Sequence, residues 1–200
     1  ERRPDREGIV RARWRKGELV VEAWPEPDGR DLATGLLAAA RRAAPDRFGP
    51  DVLVEAEGLA LRGPSELLVG LRRPRSARGE ALVLRIAAGS LFGAAEGHPP
   101  PRLLRLDLDG QGVRGLCWDP DRACLWVLGG PHAGGARAAG FALWRCRLED
   151  RPPERVHTFA PAWVRRYGAP EAILRYDDRR LLVAVDGRGE GHGGLFFLDA

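Results

Sequence analysis

The sequence lacks several features that would assign a protein to a common class. Its 200 residues include no methionine, a single lysine (Lys16) and three cysteines, none of them in a Cys-x-x-Cys pair. That count excludes a disulfide framework and a cysteine zinc site, and it predicts free, buried thiols in a reducing, cytoplasmic setting. Because the chain begins at Glu1 and contains no methionine, we expect it to be a segment or a processed product of a longer protein.

Long hydrophobic runs are also absent. The longest apolar stretch, 32–44, is interrupted by Thr34, Gly35 and two arginines, whereas a membrane span needs roughly 20 apolar residues. The net charge is +4, but arginines and acids are interspersed along the chain. Nucleic-acid binders carry a contiguous basic stripe instead. We therefore expect neither a membrane span nor a nucleic-acid partner.

Common catalytic motifs are missing as well. No Gly-x-Ser-x-Gly occurs, and the only serines, Ser65, Ser76 and Ser90, fall in predicted turns or loops, which argues against a serine nucleophile. Two glycine-rich stretches, 129–135 and 187–194, lack the P-loop spacing and open no helix. The four histidines are dispersed without metal-ligand spacing. The sequence therefore specifies no reaction.

What the sequence does contain is a repeat. Stretches at 57–72, 114–130 and 171–186 resemble one another and lie about 57 residues apart. A fixed period of this size is typical of repeat architectures, in which each unit buries its apolar face against the next. The repeat is the strongest indication of fold that the sequence offers.

Each repeat is divided into short apolar runs bounded by glycine, proline and aspartate. Several runs alternate on a period of two, which predicts strands with one buried face. The links between first and second runs, such as Asp119-Pro120-Asp121, are turn sequences whose carboxylates bond the local backbone. The predicted strands are 57–61, 67–71, 81–86 and 103–108; 114–118, 125–128, 141–148 and 155–159; and 171–175, 181–185 and 195–198.

We predict an all-β fold, a partial β-propeller of about three four-stranded antiparallel blades preceded by one hairpin and one helix. Residues 1–50 hold the hairpin and the helix, as part of an incomplete preceding blade. The blades are 51–109, 110–167 and 168–200, the last of them incomplete. A β-sandwich would not explain so regular a period. Such an open arc is expected to expose apolar blade faces at both ends.

The one predicted helix lies between the hairpin and the first blade. Its apolar face consists of Leu32, Leu36, Leu37, Ala40 and Ala44. Asp31 is the expected N-cap, and Pro45 ends the helix. Because this face is narrow and rich in alanine, we expect the helix to pack on a sheet.

The repeats also resemble a known family. The motifs are Glu57-Gly58-Leu59-Ala60-Leu61, Leu67-Leu68-Val69-Gly70-Leu71-Arg72-Arg73-Pro74, Gly110-Gln111-Gly112-Val113-Arg114-Gly115-Leu116, Gly129-Gly130-Pro131 and Phe141-Ala142-Leu143-Trp144-Arg145. Between about Asp51 and Asp186 the chain resembles the bacterial domain-of-unknown-function family 3616, which is related to β-propellers. The resemblance implies a propeller-like fold and a bacterial source, and it implies no reaction.

Alignment of the repeats predicts a charged site. Glu57, Arg114 and Glu171 open the first strand of successive units, and Arg72 and Asp186 follow second strands. In a propeller these positions meet at one mouth of the central channel, which is where ligands commonly bind. His132 is expected to overhang the same mouth. The predicted site is thus a ring of alternating charge.

Two functions are compatible with such a ring. In the first, salt bridges tie blade to blade, and the chain is a non-catalytic scaffold that binds a small molecule or a protein. In the second, Glu57, Glu171 and Asp186 hold Ca²⁺ or Mg²⁺, and Arg72 or Arg114 holds an anionic group. Glu57-Gly58 is similar to the opening motif of gluconolactonase-type and phytase-like propellers, which implies a metal-dependent hydrolase of lactonase or phosphoester type. We rank the scaffold first.

Overall fold

The computed structural model describes residues 11–16, 18–23, 32–49, 52–91, 98–131, 140–148, 151–187 and 193–200. The elements are β1 (Arg11–Arg15), β2 (Glu18–Ala23), α1 (Leu32–Ala43), β3 (Glu55–Arg62), β4 (Glu66–Arg73), β5 (Ala81–Ala87), a 3₁₀ turn (Ala88–Leu91), β6 (Arg102–Leu106), β7 (Gly112–Asp119), β8 (Cys124–Gly130), β9 (Phe141–Cys146), β10 (Glu154–Phe159), α2 (Pro161–Tyr167), β11 (Ala169–Arg175), β12 (Arg180–Asp186) and β13 (Gly194–Asp199). None of the described helices is long and apolar enough to cross a membrane.

The strands form up-and-down antiparallel sheets. The first sheet has the order β3-β4-β5-β6, the second β7-β8-β9-β10 and the third β11-β12-β13, while β1 and β2 form a separate hairpin. Every neighbouring pair is antiparallel. The predicted all-β class is confirmed. Two strands end earlier than predicted. Strand β9 ends at Cys146, and β6 ends at Leu106, shortly before Asp109 and Gly110 turn the chain at positive φ.

The second sheet lies between the other two. Its strand β8 is buried along its whole length. Leu125 and Val127 face the first sheet, in a cluster with Leu68 and Val83. Trp126 and Leu128 face the third sheet, in a cluster that includes Ile173, Leu181 and Val183. A strand buried on both faces is stabilised by apolar residues on both sides rather than by alternation. Strand β8, Cys124–Gly130, contains no charged or strongly polar residue.

Helix α1 covers the outer face of the first sheet. Ala39, Ala40 and Phe48 pack in one cluster with Leu71 and Leu82, and the segment after the helix is anchored by a hydrogen bond of 3.0 Å from Arg41 Nε to the Phe48 carbonyl. The prediction that apolar faces are exposed at both ends of the arc is therefore only partly right at this end. The helix covers β4 and β5 on this face, whereas Leu59 and Leu61 of β3 are 49% and 53% exposed. Asp31, the predicted N-cap, lies outside the described residues.

A second helix, α2, was not predicted. It begins with Pro161 directly after Phe159 and Ala160, a position in which the fixed φ of proline favours helix initiation. Trp163 makes tilted contacts with Phe159 at 5.0 Å and Tyr167 at 5.3 Å, and an edge-to-face contact with Phe196 at 4.8 Å, between ring centroids. The helix thus ties the end of the second sheet to the last strand of the third.

Candidate functional site

The three first strands share a local distortion. In β3 the residues Ala56 and Gly58 pair with adjacent residues of β4, which leaves Glu57 as the extra residue of a β-bulge. The same shift leaves Arg114 extra in β7 and Glu171 extra in β11. A bulge re-aims the side chain that it carries. Each of the three sheets therefore presents one charged side chain from the bulge of its first strand.

Glycines allow these strands to approach closely. A Cβ on Gly70 would lie 2.4 Å from Val113 Cγ1, and one on Gly58 would lie 2.7 Å from Leu116 Cγ. No real Cβ tolerates such distances, so β7 can pack against β3 and β4 only because both positions lack a side chain. On its other side β7 packs against β11. The bulges of three sheets are brought together in this way.

Arg114 joins all three bulges. Its Nη1 donates to Glu57 Oε2 at 3.0 Å and to both carboxylate oxygens of Glu171 at 3.1 Å. Its Nη2 donates to the Pro131 carbonyl at 3.0 Å, and its side chain is only 10% exposed. One guanidinium in the second sheet is therefore bound by a carboxylate from the first sheet and a carboxylate from the third.

The network extends along the edge formed by β3 and β4. Arg72 Nη1 lies 2.8 Å from Glu57 Oε1, and Arg72 Nε lies 4.0 Å from Glu55 Oε2. Glu55 also forms an ion pair with Arg73, its cross-strand neighbour. We call the residues of this network the bulge cluster: Glu55, Glu57, Arg72, Arg73, Arg114 and Glu171. Glu55 and Arg73 were not predicted as site residues. The predicted strands covered only the apolar runs 57–61 and 67–71, and these two residues lie just outside them.

Two carboxyl groups of this cluster have pKa values shifted in opposite directions. Burial raises the pKa of the Glu171 carboxyl above its ordinary value, and the nearby Glu57 adds to the rise, although Arg114 opposes it. The hydrogen bond from Arg73 lowers the pKa of the Glu55 carboxyl, against the effect of its partial burial. Glu55 is therefore stabilised in its charged form, whereas Glu171 ionises less readily than an ordinary glutamate.

Several polar atoms of the bulge cluster keep unused hydrogen-bonding capacity. The Nε atoms of Arg72, Arg73 and Arg114 and the Oε2 atom of Glu55 are buried and have no hydrogen-bond partner among the described residues. A buried donor left unmatched is costly, so such groups favour an acceptor from water or from a ligand. Three of these four atoms are cationic donors, and they suit a carboxylate or a phosphate.

Two of the predicted site residues are not part of this network. Asp186 lies exposed at the end of β12, and it forms no ion pair within the described ranges. His132 lies outside the described residues. The structure brings Glu57, Arg72, Arg114 and Glu171 into contact, and their role in binding stays a prediction.

The predicted metal ligands do not assemble into a metal centre. Within the part of the chain that the structure describes, no group of three or more histidine, cysteine, aspartate or glutamate side chains is placed to hold a metal ion. Glu57 and Glu171 do approach a common point, but the Arg114 guanidinium occupies it. A cation added there would meet a positive charge that already neutralises the carboxylates.

A second polar network lies at the far end of β7. Asp119 is fully buried. Its Oδ1 accepts from the backbone amides of Asp121 and Arg122 at 3.2 Å, and its Oδ2 accepts from Arg122 Nη1 at 3.0 Å and Trp126 Nε1 at 3.2 Å. The predicted carboxylate-to-backbone turn is confirmed. The hydrogen bond from the buried Trp126 to the same carboxylate was not predicted.

Residues of the third sheet complete this network. Arg175 Nη2 lies 2.5 Å from Asp121 and 2.6 Å from Asp178. Burial acts to raise the pKa of Asp119, but its hydrogen bonds with Trp126 and Arg122 outweigh burial and hold the pKa below its ordinary value. We call Asp119, Asp121, Arg122, Trp126, Arg175 and Asp178 the turn cluster.

The cysteines are free, as predicted. Cys124 and Cys146 are buried and Cys117 is half-buried. Burial raises the pKa of Cys146 to about 12 and that of Cys124 to about 11, and it also raises the pKa of Cys117. Since the thiolate is the reactive form, none of these thiols is prepared to act as a nucleophile near neutral pH.

Comparison with known proteins adds no relative. No protein-family model matches the chain, and no curated protein matches it. The class that the structure itself defines is an all-β protein of stacked antiparallel sheets with a charged cluster at the contact of their first strands.

Proposed function

We propose that this chain is a non-catalytic binding scaffold, a partial β-propeller related to the bacterial domain-of-unknown-function family 3616. Three features support the propeller: the up-and-down order of the sheets, the packing of β7 between β3 and β11, and the equivalent bulges of the three first strands. In such an arrangement the first strands surround an axis, and the bulge cluster lies at one opening.

The shared guanidinium of Arg114 is the observation that carries this proposal. It binds Glu57 and Glu171 at 3.0 and 3.1 Å, so the charges of the two carboxylates are matched inside the protein. A catalytic carboxylate needs an oxygen free to meet the substrate, whereas Glu57 and Glu171 both accept hydrogen bonds from this guanidinium. The cluster is built to hold three sheets in one geometry.

The ligand that suits this scaffold is an anion or an acidic segment of a protein. Arg72 and Arg73 support a carboxylate-bearing partner, because their side chains are 25% and 34% exposed within the bulge cluster. A metal-dependent hydrolase remains the alternative, supported by the Glu57-Gly58 motif alone. The free thiols support the cytoplasmic location that we propose with the scaffold.

A thermal melting experiment on the whole chain separates the two functions. We expect Ca²⁺ and Mn²⁺ at millimolar concentration to leave the melting temperature unchanged, and a poly-glutamate peptide to raise it, because binding to the native state stabilises it. Arg72→Met should abolish the rise, and Arg105→Met, at an exposed position of β6, should preserve it.

Two outcomes would contradict the proposal. A stabilisation by Mn²⁺ that Glu57→Gln removes would favour the hydrolase, because it would show a cation held by that carboxylate. A melting temperature that responds to neither the metals nor the peptide would show that the bulge cluster is purely structural and that the scaffold binds elsewhere.

A further inference from the structure

A cavity of about 300 Å³ lies at one corner of the first sheet. Its walls are the start of β4, the end of β5, the 3₁₀ turn and the segment that leads into β6. Apolar residues of β5 and two prolines form part of the wall, and the polar and charged residues that line it are Ser65, Glu66, Arg85, His98 and Arg102. The volume is at the lower end of the range for small-molecule sites.

Positive charge exceeds negative charge in this cavity. Arg85 and Arg102 are direct cross-strand partners on β5 and β6, and like charges in such a pair repel each other. Arg85 Nε and Nη2 donate to Glu66 Oε1 at 2.9 and 2.6 Å, while Arg62 Nη1 donates to Glu66 Oε2 at 3.1 Å. Both oxygens of Glu66 are therefore engaged, and the exposed Arg102 has no ion-pair partner among the described residues.

The second sheet has a carboxylate at the equivalent place. Arg145 of β9 corresponds to Arg85 of β5, because their partners on β8 and β4 occupy the same position of the repeat. The residue opposite Arg145 on the fourth strand is Glu154, which accepts from Arg145 Nε at 3.2 Å and from Nη2 at 2.6 Å. In the first sheet Arg102 stands in place of this glutamate, so an anion bound between Arg85 and Arg102 would restore the charge pairing of the second sheet.

We propose that this cavity binds the phosphate group of a small phosphorylated molecule. Three arginines and one glutamate meet at this corner, so two positive charges are unmatched, and a phosphate monoester carries a charge of about −1.5 to −2 at neutral pH. Arg85 Nη1 takes no part in the bonds to Glu66. Arg102, His98 and Ser65 add further donors along the wall. A carboxylate would supply a single charge and two oxygens, which matches this set of donors less well.

Gly89 in the 3₁₀ turn allows the histidine to form part of the wall. A Cβ at this position would lie 2.8 Å from His98 Cε1 and Nε2, so the imidazole can pack against the turn only because Gly89 has no side chain.

The cavity is separate from the bulge cluster. Strand β4 begins at Glu66, which lines the cavity, and Arg72 of the bulge cluster lies near its other end. The proposal therefore does not depend on what the bulge cluster binds, and a variant at either end tests one site alone.

An NMR titration of the whole chain with inorganic phosphate, at pH 7 and constant ionic strength, tests the proposal. Amide signals of the turn between β3 and β4, the 3₁₀ turn and the segment before β6 should shift in a saturable manner. Two hydrogen bonds to charged groups correspond to a dissociation constant of about 1 mM. Arg102→Met should raise this constant at least about ten-fold, because it removes one of these bonds. Acetate should bind more weakly than phosphate.

The matched control is Arg105→Met, which removes the same charge from the same strand. Arg105 is the cross-strand partner of Leu82, on the opposite face of the sheet, so its loss should leave phosphate binding unchanged. Signals away from the cavity should show that both variants keep the parent fold. The proposal is overturned if phosphate up to about 50 mM causes no saturable shift, if Arg102→Met leaves the shifts unchanged, or if acetate binds as tightly. Shifts that disappear in Arg72→Met would place the anion in the bulge cluster, which overturns this proposal and supports the function proposed above.

Discussion

The two ends of β7 carry buried charges of opposite sign, and different kinds of partner neutralise them. At one end Arg114 is matched by carboxylates from the first and third sheets. At the other end the hydrogen bonds to Asp119 all come from its own sheet, from Trp126, Arg122 and two turn amides. Arg175 of the third sheet is a more distant ion-pair partner, 3.9 Å away. A buried charge stabilises a fold only when its partners are in place. The bulge cluster therefore depends on assembly of the sheets, whereas most of the turn cluster forms with a single hairpin.

The largest effect is expected at Asp119. Asp119→Ala leaves Trp126 Nε1 and two turn amides without their acceptor, and we expect a loss of about 3 kcal/mol in the free energy of unfolding. In a chain of this size each kcal/mol corresponds to roughly 3 °C in melting temperature. Denaturant unfolding measures the loss. Asp178→Ala, at a carboxylate that is 91% exposed, serves as control and should change little.

Equal losses in the free energy of unfolding for Asp119→Ala and Asp178→Ala would contradict this difference between the two ends of β7. Hydrogen exchange gives a second test, because the loss at Asp119 should deprotect the amides of the turn between β7 and β8 first. Deprotection that began in β3 instead would show that Asp119 holds the sheets together, contrary to its local contacts.

A smaller but more widespread effect is expected at Arg114. Arg114→Met leaves Glu57 and Glu171 facing each other without their shared cation, and since both carboxylates are partly exposed we expect a cost of about 2 kcal/mol. Adding Glu171→Gln to this variant should recover part of the loss, which a double-mutant cycle measures. Arg105→Met is the control at an exposed arginine. Equal stability of Arg114→Met and Arg105→Met would contradict a role for Arg114 in joining the sheets.

The smallest expected effect is an opposite dependence on pH at the two ends. The folded protein binds a proton at Glu171 more readily than the unfolded chain does, because the pKa of Glu171 is raised. That contribution to stability is present at low pH and is lost as the pH rises through the folded-state pKa. The pKa of Asp119 is lowered, so its contribution is present at neutral pH and is lost as the pH falls.

Unfolding measured from about pH 7 to about pH 2 should therefore separate the two sites, Glu171 above about pH 4 and Asp119 below it. Relative to the parent protein, Glu171→Gln should become less stable as the pH falls, while the deficit of Asp119→Asn should shrink. Because the Glu171 side chain is 35% exposed, solvent screening keeps its change below about 1 kcal/mol. Parallel slopes for the two variants would contradict the assigned directions.

Local periodicity made much of the fold predictable. Alternation on a period of two gave the strands, and the spacing of the repeats led to the contact of Glu57, Arg114 and Glu171, because equivalent positions of stacked units lie side by side. The β-bulges could not be predicted from the sequence, because one extra residue in a strand does not interrupt its apolar run. Helix α2 is seven residues long, too short for a helical period to be read.

Other features depend on contacts between distant segments. The helix α1 was expected on a sheet, but nothing in its sequence shows that it covers the outer face of the first. Trp126 was expected in the core, and its hydrogen bond with Asp119 depends on how β7 and β8 pair. The pairing of Arg114 with two carboxylates places a cation between two of the predicted metal ligands. It follows from side-chain positions that spacing alone does not give.

If the propeller that we propose closes, the alternation of sign along the bulged positions restricts its number of units. Glutamate, arginine and glutamate follow one another from sheet to sheet, and each neighbour is attracted to the next. A closed ring that keeps this alternation must contain an even number of units, because an odd number would place two like charges next to each other. The parity of such a ring is therefore set by a single side chain per repeat.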